Sequence, residues 1–150
     1  MSARVTGMER LNRNIDKIKK SVGVDVFKAL VVGANLVRTT AIKSIQTVSA
    51  GRTVQRTRNG GGTYLHVVSR PNDPPNTDSG RLVSSIDVEI DGESAFVGSS
   101  LEYAGKLEFG DRGSNLEKRP WLNPALESNR PEINRRIAEA AIKGIRRGGR

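Results

Sequence analysis

The strongest constraint on the fold is a run of apolar residues between Asp25 and Thr47. Phe27, Leu30, Val31, Ala34, Val37, Ala41 and Ile45 recur at three- and four-residue intervals, which predicts a helix with a broad buried face. Such a helix measures roughly 35 Å at 1.5 Å per residue and forms the backbone of a core. Asp25 is its expected N-cap.

Residues 1–22 form a separate amphipathic segment. Met8, Leu11, Ile15, Ile18 and Val22 make a narrow stripe between Arg10, Arg13, Lys17, Lys19 and Lys20. Gly23 is expected to divide the two helices. From Ala50 the period changes. Thr53–Arg58 and Thr63–Val68 are β-prone and flank Asn59-Gly60-Gly61-Gly62, so residues 50–70 read as a hairpin with a flexible tip. A proline-containing connector, Pro71 to Pro75, precedes a short apolar turn, Leu82 to Ile86, with Asp78 or Ser79 as its expected cap. Val88 and Ile90 pair across Asp91-Gly92 with Ala95, Phe96 and Val97 as a second hairpin.

Near the C-terminus, Asn123-Pro124 is a cap and first-turn pair, and Pro131 is expected to break or kink the helix that follows. Residues 131–150 carry Ile133, Ile137, Ala141 and Ile145 in steps of four, then a frayed end, Gly148-Gly149-Arg150. Helices gathered on a small antiparallel sheet of hairpins make an α+β fold. At 150 residues with 35% hydrophobic content, the chain is read as a single domain, 1–150.

Charge is unevenly placed. Residues 1–70 hold 13 Lys/Arg against 3 Asp/Glu, residues 71–130 hold 6 against 11, and residues 131–150 hold 6 against 2. A basic start, an acidic middle and a basic tail suit contact with nucleic acid. They suit equally the head-to-tail packing of identical subunits, or a plain solvated surface. No apolar run approaches the ~20 residues of a membrane span, and no secretory signal opens the chain. Integral membrane and secreted classes are therefore not expected.

The chain is poor in reaction chemistry. Zero Cys removes thiol nucleophiles and cysteine-bound zinc. His66, the single histidine, cannot supply a metal site or a convincing Ser-His-Asp triad. Asp87, Glu89, Asp91 and Glu93 alternate as the solvated face of a strand does, and Asp111 to Asn115 lacks the spacing of an EF-hand. Asn59 to Thr63 leads into a strand, where a phosphate loop leads into a helix. No cofactor is implied, and no catalytic or metal residue is assigned.

The stretch from Leu101 to Arg130 points elsewhere. Tyr103-Ala104, Leu107-Glu108-Phe109-Gly110, Arg119-Pro120-Trp121-Leu122 and Pro124-Ala125-Leu126-Glu127 follow one another ahead of the C-terminal helix, after Pro74-Pro75, Thr77-Asp78, Gly80-Arg81-Leu82 and Ser85-Ile86. This succession resembles the neck or tail-completion (head–tail joining) proteins of long-tailed bacteriophages. It departs from them at Ala104-Gly105-Lys106 and in the loop Asp111 to Lys118.

The resemblance implies a structural virion protein assembled in the bacterial host cytoplasm, with no enzymatic activity. It would form a ring, expected to be a hexamer, at the head–tail junction. Its neighbours would be head-connector or head-closure proteins on one side and tail-terminator or tail-tube proteins on the other. A central channel would pass DNA with nonspecific contacts only. Subunit or partner contacts are expected at Glu102, Tyr103, Leu107, Glu108, Phe109, Asp111, Leu116, Arg119 and Trp121. A Trp beside an Arg is the composition of an interface hot spot, although Trp121 fits equally well as a core plug. Arg52, Arg56 and Arg58, around the hairpin tip, are expected to face the channel. Two other classes compete: a nonspecific DNA-binding protein, which the pI near 10.5 and the basic helix Arg10–Lys20 favour, and a small metal-dependent hydrolase using the acidic loops.

Overall fold

The computed structural model describes the backbone of residues 8–149 and side chains from residue 11 onward. The side chains of Met8 and Arg10, and the C-terminal Arg150, lie outside the described residues. The elements are α1 (Met8–Gln46), β1 (Gly51–Thr57), β2 (Thr63–Ser69), α2 (Arg81–Ser85), β3 (Ile86–Asp91), β4 (Ser94–Ser99), α3 (Glu102–Phe109) and α4 (Asn123–Gly148). The fold is α+β, with helices at both ends and two separate two-stranded antiparallel sheets, β1–β2 and β3–β4.

Contacts group the chain into two compact units. One comprises Met1–Gly33, Ile90–Ala95 and Arg130–Arg150; the other comprises Ala34–Glu89 and Phe96–Asn129. In the first, α1 and α4 run antiparallel at glycine-mediated contacts. A Cβ at Gly148 would lie 2.6 Å from Ile18 Cα, one at Gly144 2.6 Å from Val22 Cα, and one at Gly33 3.0 Å from Ile133 Cγ1. The two residue numbers in each of these pairs add to the same value, so the register is constant from one end of the contact to the other. Asp25, 7% exposed, accepts Arg147 Nη1 at 3.1 Å through Oδ1. Arg147 Nε also donates to Ser21 Oγ at 2.9 Å.

These contacts correct three sequence expectations. Gly23 does not divide α1, and Asp25 does not cap a helix but lies within one. An interior glycine costs a helix only about 1 kcal/mol, and Val22 and Asp25 beside it are both held by α4. Pro131 lies inside α4 without ending it; Ile133 on Gly33 and Asn129, whose Nδ2 donates to Thr40 Oγ1 at 2.9 Å, fix the chain on either side. The step-of-four stripe on α4 drifts, because four residues overshoot a 3.6-residue turn. Ile145 is consequently 53% exposed, and Gly144 takes its place on the inner face.

The second unit holds the buried apolar core: Ala34, Val37, Ala41, Ile45, Leu82, Ile86, Ala104, Trp121 and Ala125. Arg38 Nε donates to the Ile86 carbonyl at 2.8 Å, tying the last third of α1 to the start of β3. Asn76 fastens the connector. Its Oδ1 accepts the Ser49 amide at 2.8 Å, and its Nδ2 donates to the carbonyls of Ser49 and Val67, each at 2.9 Å. β1 and β2 pair without a bulge from Gly51↔Ser69 to Thr57↔Thr63. Gly60, Gly61 and Gly62 turn the tip with φ of 104°, 92° and 83°, values that glycine alone adopts without strain. The expected cap of α2 is also corrected. Gly80 holds that position at φ 75° with no side-chain cap, because Asp78 is engaged elsewhere.

Candidate docking surface around the third helix and the basic hairpin

α3 is an eight-residue helix that the sequence pattern did not indicate, and it sorts the expected interface residues into two groups. Outward stand Glu102, Tyr103 at 39% exposure and Phe109 at 81%. An aromatic ring left that open is a ready contact for another surface. Gly110, with φ 81°, ends the helix and donates its N–H to the Lys106 carbonyl at 2.9 Å.

Inward lie Ala104 and Glu108. Glu108 is 7% exposed. Its Oε2 accepts the amides of Trp121 and Leu122 at 2.8 and 2.9 Å, and its Oε1 accepts that of Asn123 at 2.9 Å. An acidic side chain at a helix N-terminus satisfies orphan donors and meets the positive end of the helix dipole. Glu108 thus caps α4 from a distance in sequence. Trp121 is 3% exposed and donates Nε1–H to the Ala104 carbonyl at 3.3 Å. Both residues hold α3 to the start of α4 inside one chain, and the burial of Trp121 matches its reading as a core plug.

Leu107, Leu116, Tyr103 and Arg119 line a cavity of about 430 Å³, together with Ile45, Val68 and Leu82. Arg119 is turned to internal carbonyls, donating Nε–H to Ser69 at 3.2 Å and Nη1–H to Glu117 at 3.1 Å. The Ser69 hydroxyl in the same wall is buried without a hydrogen-bond partner. Asp111 organises its own loop: Oδ1 accepts the Gly113 amide at 3.0 Å, Oδ2 accepts the Ser114 hydroxyl at 2.8 Å, and Lys106 Nζ stands 3.4 Å away. The Ser114 hydrogen bond, then the Gly113 amide, then Lys106 hold its carboxyl below the usual carboxylate range.

The basic hairpin is only partly free. Arg56 Nη1 donates to Asp78 Oδ2 at 2.7 Å, and Arg58 lies over the Tyr64 ring, 5.4 Å from its centroid. Arg52 is exposed. Asp78 Oδ1 also accepts the Tyr64 hydroxyl at 2.6 Å, which raises the phenol above its ordinary pKa. His66 Nδ1 lies 3.7 Å from the same oxygen. Among the described residues, no group of three or more His, Asp and Glu side chains is placed to hold a metal ion, and no helix is long and apolar enough to cross a membrane.

The helices and hairpins make an α+β protein whose buried polar groups serve mainly its own architecture and whose open aromatic surface faces outward. A family model described as "Bacteriophage HK97-gp10, putative tail-component" matches residues 9–110. The chain belongs to this HK97-gp10-like family of bacteriophage tail components. The match runs from α1 through Gly110, so the loop after it and α4 lie beyond the matched span. No curated protein and no solved structure matches the chain.

Proposed function

We propose that this protein is a structural virion component that forms a ring, sixfold in symmetry, at the head–tail junction of a tailed phage. It joins the head connector to the tail, leaves a channel for DNA and catalyses no reaction. The observation that carries this reading is the tail-component family match over residues 9–110. The uneven charge and the open side of α3 support it, since a ring needs two different complementary faces on each subunit. On this reading, Phe109, Tyr103 and Glu102 meet a neighbour, and assembly takes place in the host cytoplasm.

Arg52, Arg56 and Arg58 face the channel in this proposal. Arg56 and Arg58 are tethered by Asp78 and Tyr64. Asp78 offsets the charge of Arg56, and the Tyr64 ring holds Arg58 in place, which keeps the lining from gripping a passing polyanion. Cryo-EM of purified virions is the test: a ring of this chain between connector and tail is expected. Its absence from the neck, or a ring with all three arginines on the outer wall, would overturn the assignment in whole or in part. A salt-sensitive monomer that coats any duplex would favour the nonspecific DNA-binding alternative instead.

A further inference from the structure

The tip of the first hairpin carries a reactive pair with no part in the packing. Asn59-Gly60, exposed between β1 and β2, is the one place in the chain where glycine follows asparagine. An asparagine side chain can be attacked by the backbone nitrogen of the residue after it. Bulk on that next residue hinders the attack, and so does a hydrogen bond that holds its N–H. Gly60 brings no side chain, and a Cβ built on it would meet nothing within 4 Å. Two bonds close the turn: Arg58 N–H to the Gly62 carbonyl at 2.9 Å, and Gly61 N–H to the Arg58 carbonyl at 3.1 Å. Neither takes up the Gly60 N–H. Among the described residues, that N–H and the Asn59 carboxamide have no hydrogen-bond partner.

Other asparagines are held or crowded. Asn76 commits both ends of its amide to Ser49 and Val67. Asn129 lies within α4, with Nδ2 on Thr40 and on the Ala125 carbonyl. Asn72 precedes Asp73 and Asn115 precedes Leu116, so a side chain stands beside the attacking nitrogen in each. Asp91-Gly92, between β3 and β4, is the acid form of the same pair. Its ring closure expels water in place of ammonia, and its products keep the charge they started with.

We infer that Asn59 is a site of spontaneous deamidation, with water as the co-reactant. The Gly60 nitrogen loses its proton to solvent base and attacks Asn59 Cγ. The new N–Cγ bond closes a cyclic imide, and the Cγ–Nδ2 bond breaks as ammonia leaves with a proton taken from water. Water then opens the imide. Opening at Cγ gives aspartate, and opening at the backbone carbonyl gives isoaspartate. Either product sets a carboxylate beside Arg58, whose guanidinium lies 5.4 Å from the Tyr64 ring centroid. Residues 56–63 hold Arg56 and Arg58 and no acid, so one new carboxylate halves the net charge of the tip. The isoaspartyl form also lengthens the main chain by a methylene between Arg58 and Gly62, which spoils the spacing of both turn bonds. This chemistry depends on neither a ring nor a channel.

The folded, full-length chain tests this without a partner. Incubated in mildly alkaline buffer, it should accumulate an acidic form on isoelectric focusing that comigrates with the Asn59→Asp protein. Tandem mass spectrometry should place the amide-to-acid change at residue 59, and an isoaspartyl methyltransferase should label the same residue. Asn59→Gln should lose the acidic form, because closure of the larger ring is disfavoured. Persistence of that form at the parent's rate in Asn59→Gln, or a change that maps only to other asparagines, would overturn the inference. So would a folded parent that stays unaltered while the urea-unfolded chain deamidates at Asn59, since the turn would then shield the amide. Methyl label confined to Asp91, with no acidic form, would move the reactivity to the second hairpin and overturn it as well.

Discussion

Glu108 and the Trp121 amide are joined by a 2.8 Å hydrogen bond across thirteen residues of sequence, and through it the end of α3 sets where α4 begins. Two further amides, those of Leu122 and Asn123, share the same carboxylate. Glu108→Ala would strand three buried or half-buried donors. Loss of about 2–3 kcal/mol is expected, because charge-assisted bonds and helix caps are each worth on the order of 1–3 kcal/mol and are not additive. Glu108→Gln, which keeps one acceptor oxygen, should lose less. Denaturant unfolding of the three proteins measures both; equal stability of Glu108→Ala and the parent would remove the cap from this account.

Two glycines should respond in opposite ways to the same change. Gly144→Ala drives a methyl against Val22 backbone atoms at 2.6 and 2.9 Å, and overpacking of that kind costs about 1–3 kcal/mol. Gly23→Ala places its methyl where nothing lies within 4 Å and should stabilise α1 by roughly 0.5–1 kcal/mol. Thermal melts of the two variants give the sign. A stabilising Gly144→Ala would mean that α1 and α4 stand apart in solution.

The loop after α3 should weaken in acid. The folded pKa of Asp111 lies below that of the unfolded chain, chiefly through Ser114. Its contribution is therefore complete above the ordinary aspartate range and is lost as pH falls through the lowered folded value. Carboxyl NMR should find Asp111 titrating below the ordinary aspartate value, and Ser114→Ala should move it upward. A value unchanged by Ser114→Ala would exclude that hydroxyl as the cause.

Asp78 should control the ionisation of Tyr64. The phenol donates to Asp78 Oδ1 and is held neutral to higher pH than usual. Asp78→Asn removes the charge and should lower the Tyr64 pKa toward its ordinary value, while releasing Arg56. Ultraviolet titration of tyrosinate reads the shift, with Tyr103→Phe separating the two tyrosines. No movement of the Tyr64 transition in Asp78→Asn would contradict the assignment.

What was legible in the sequence followed periodicity and turn chemistry. The apolar face at Ala34, Val37, Ala41 and Ile45, both hairpins and the start of α4 at Asn123 were all visible in local spacing. Three of the misreadings share a cause: a local signal was overruled by a distant partner. Gly23 reads as a break until Gly144 and Arg147 hold the residues beside it. Asp25 reads as a cap until Arg147 reaches it. Glu108 looks like a surface acid because nothing nearby announces the three amides it serves. α3 was missed because eight residues containing Gly105 give too short a period to register. Of the expected contact residues, Phe109 and Tyr103 stand open, while Trp121 and Glu108 turned inward through bonds that no local pattern encodes.

The equal spacing of Ile18, Val22 and Gly33 against Gly148, Gly144 and Ile133 also limits how such a chain can change length. One residue inserted in α1 between Val22 and Gly33 would rotate everything on one side by about 100°, presenting side chains where the glycines now admit backbone. Only a matching insertion in α4 between Ile133 and Gly144 would bring the faces together again. Natural variants of this protein should therefore gain or lose residues at the glycine tip of the first hairpin or in the loop after α3. Within the paired helices, length changes should come only as linked events.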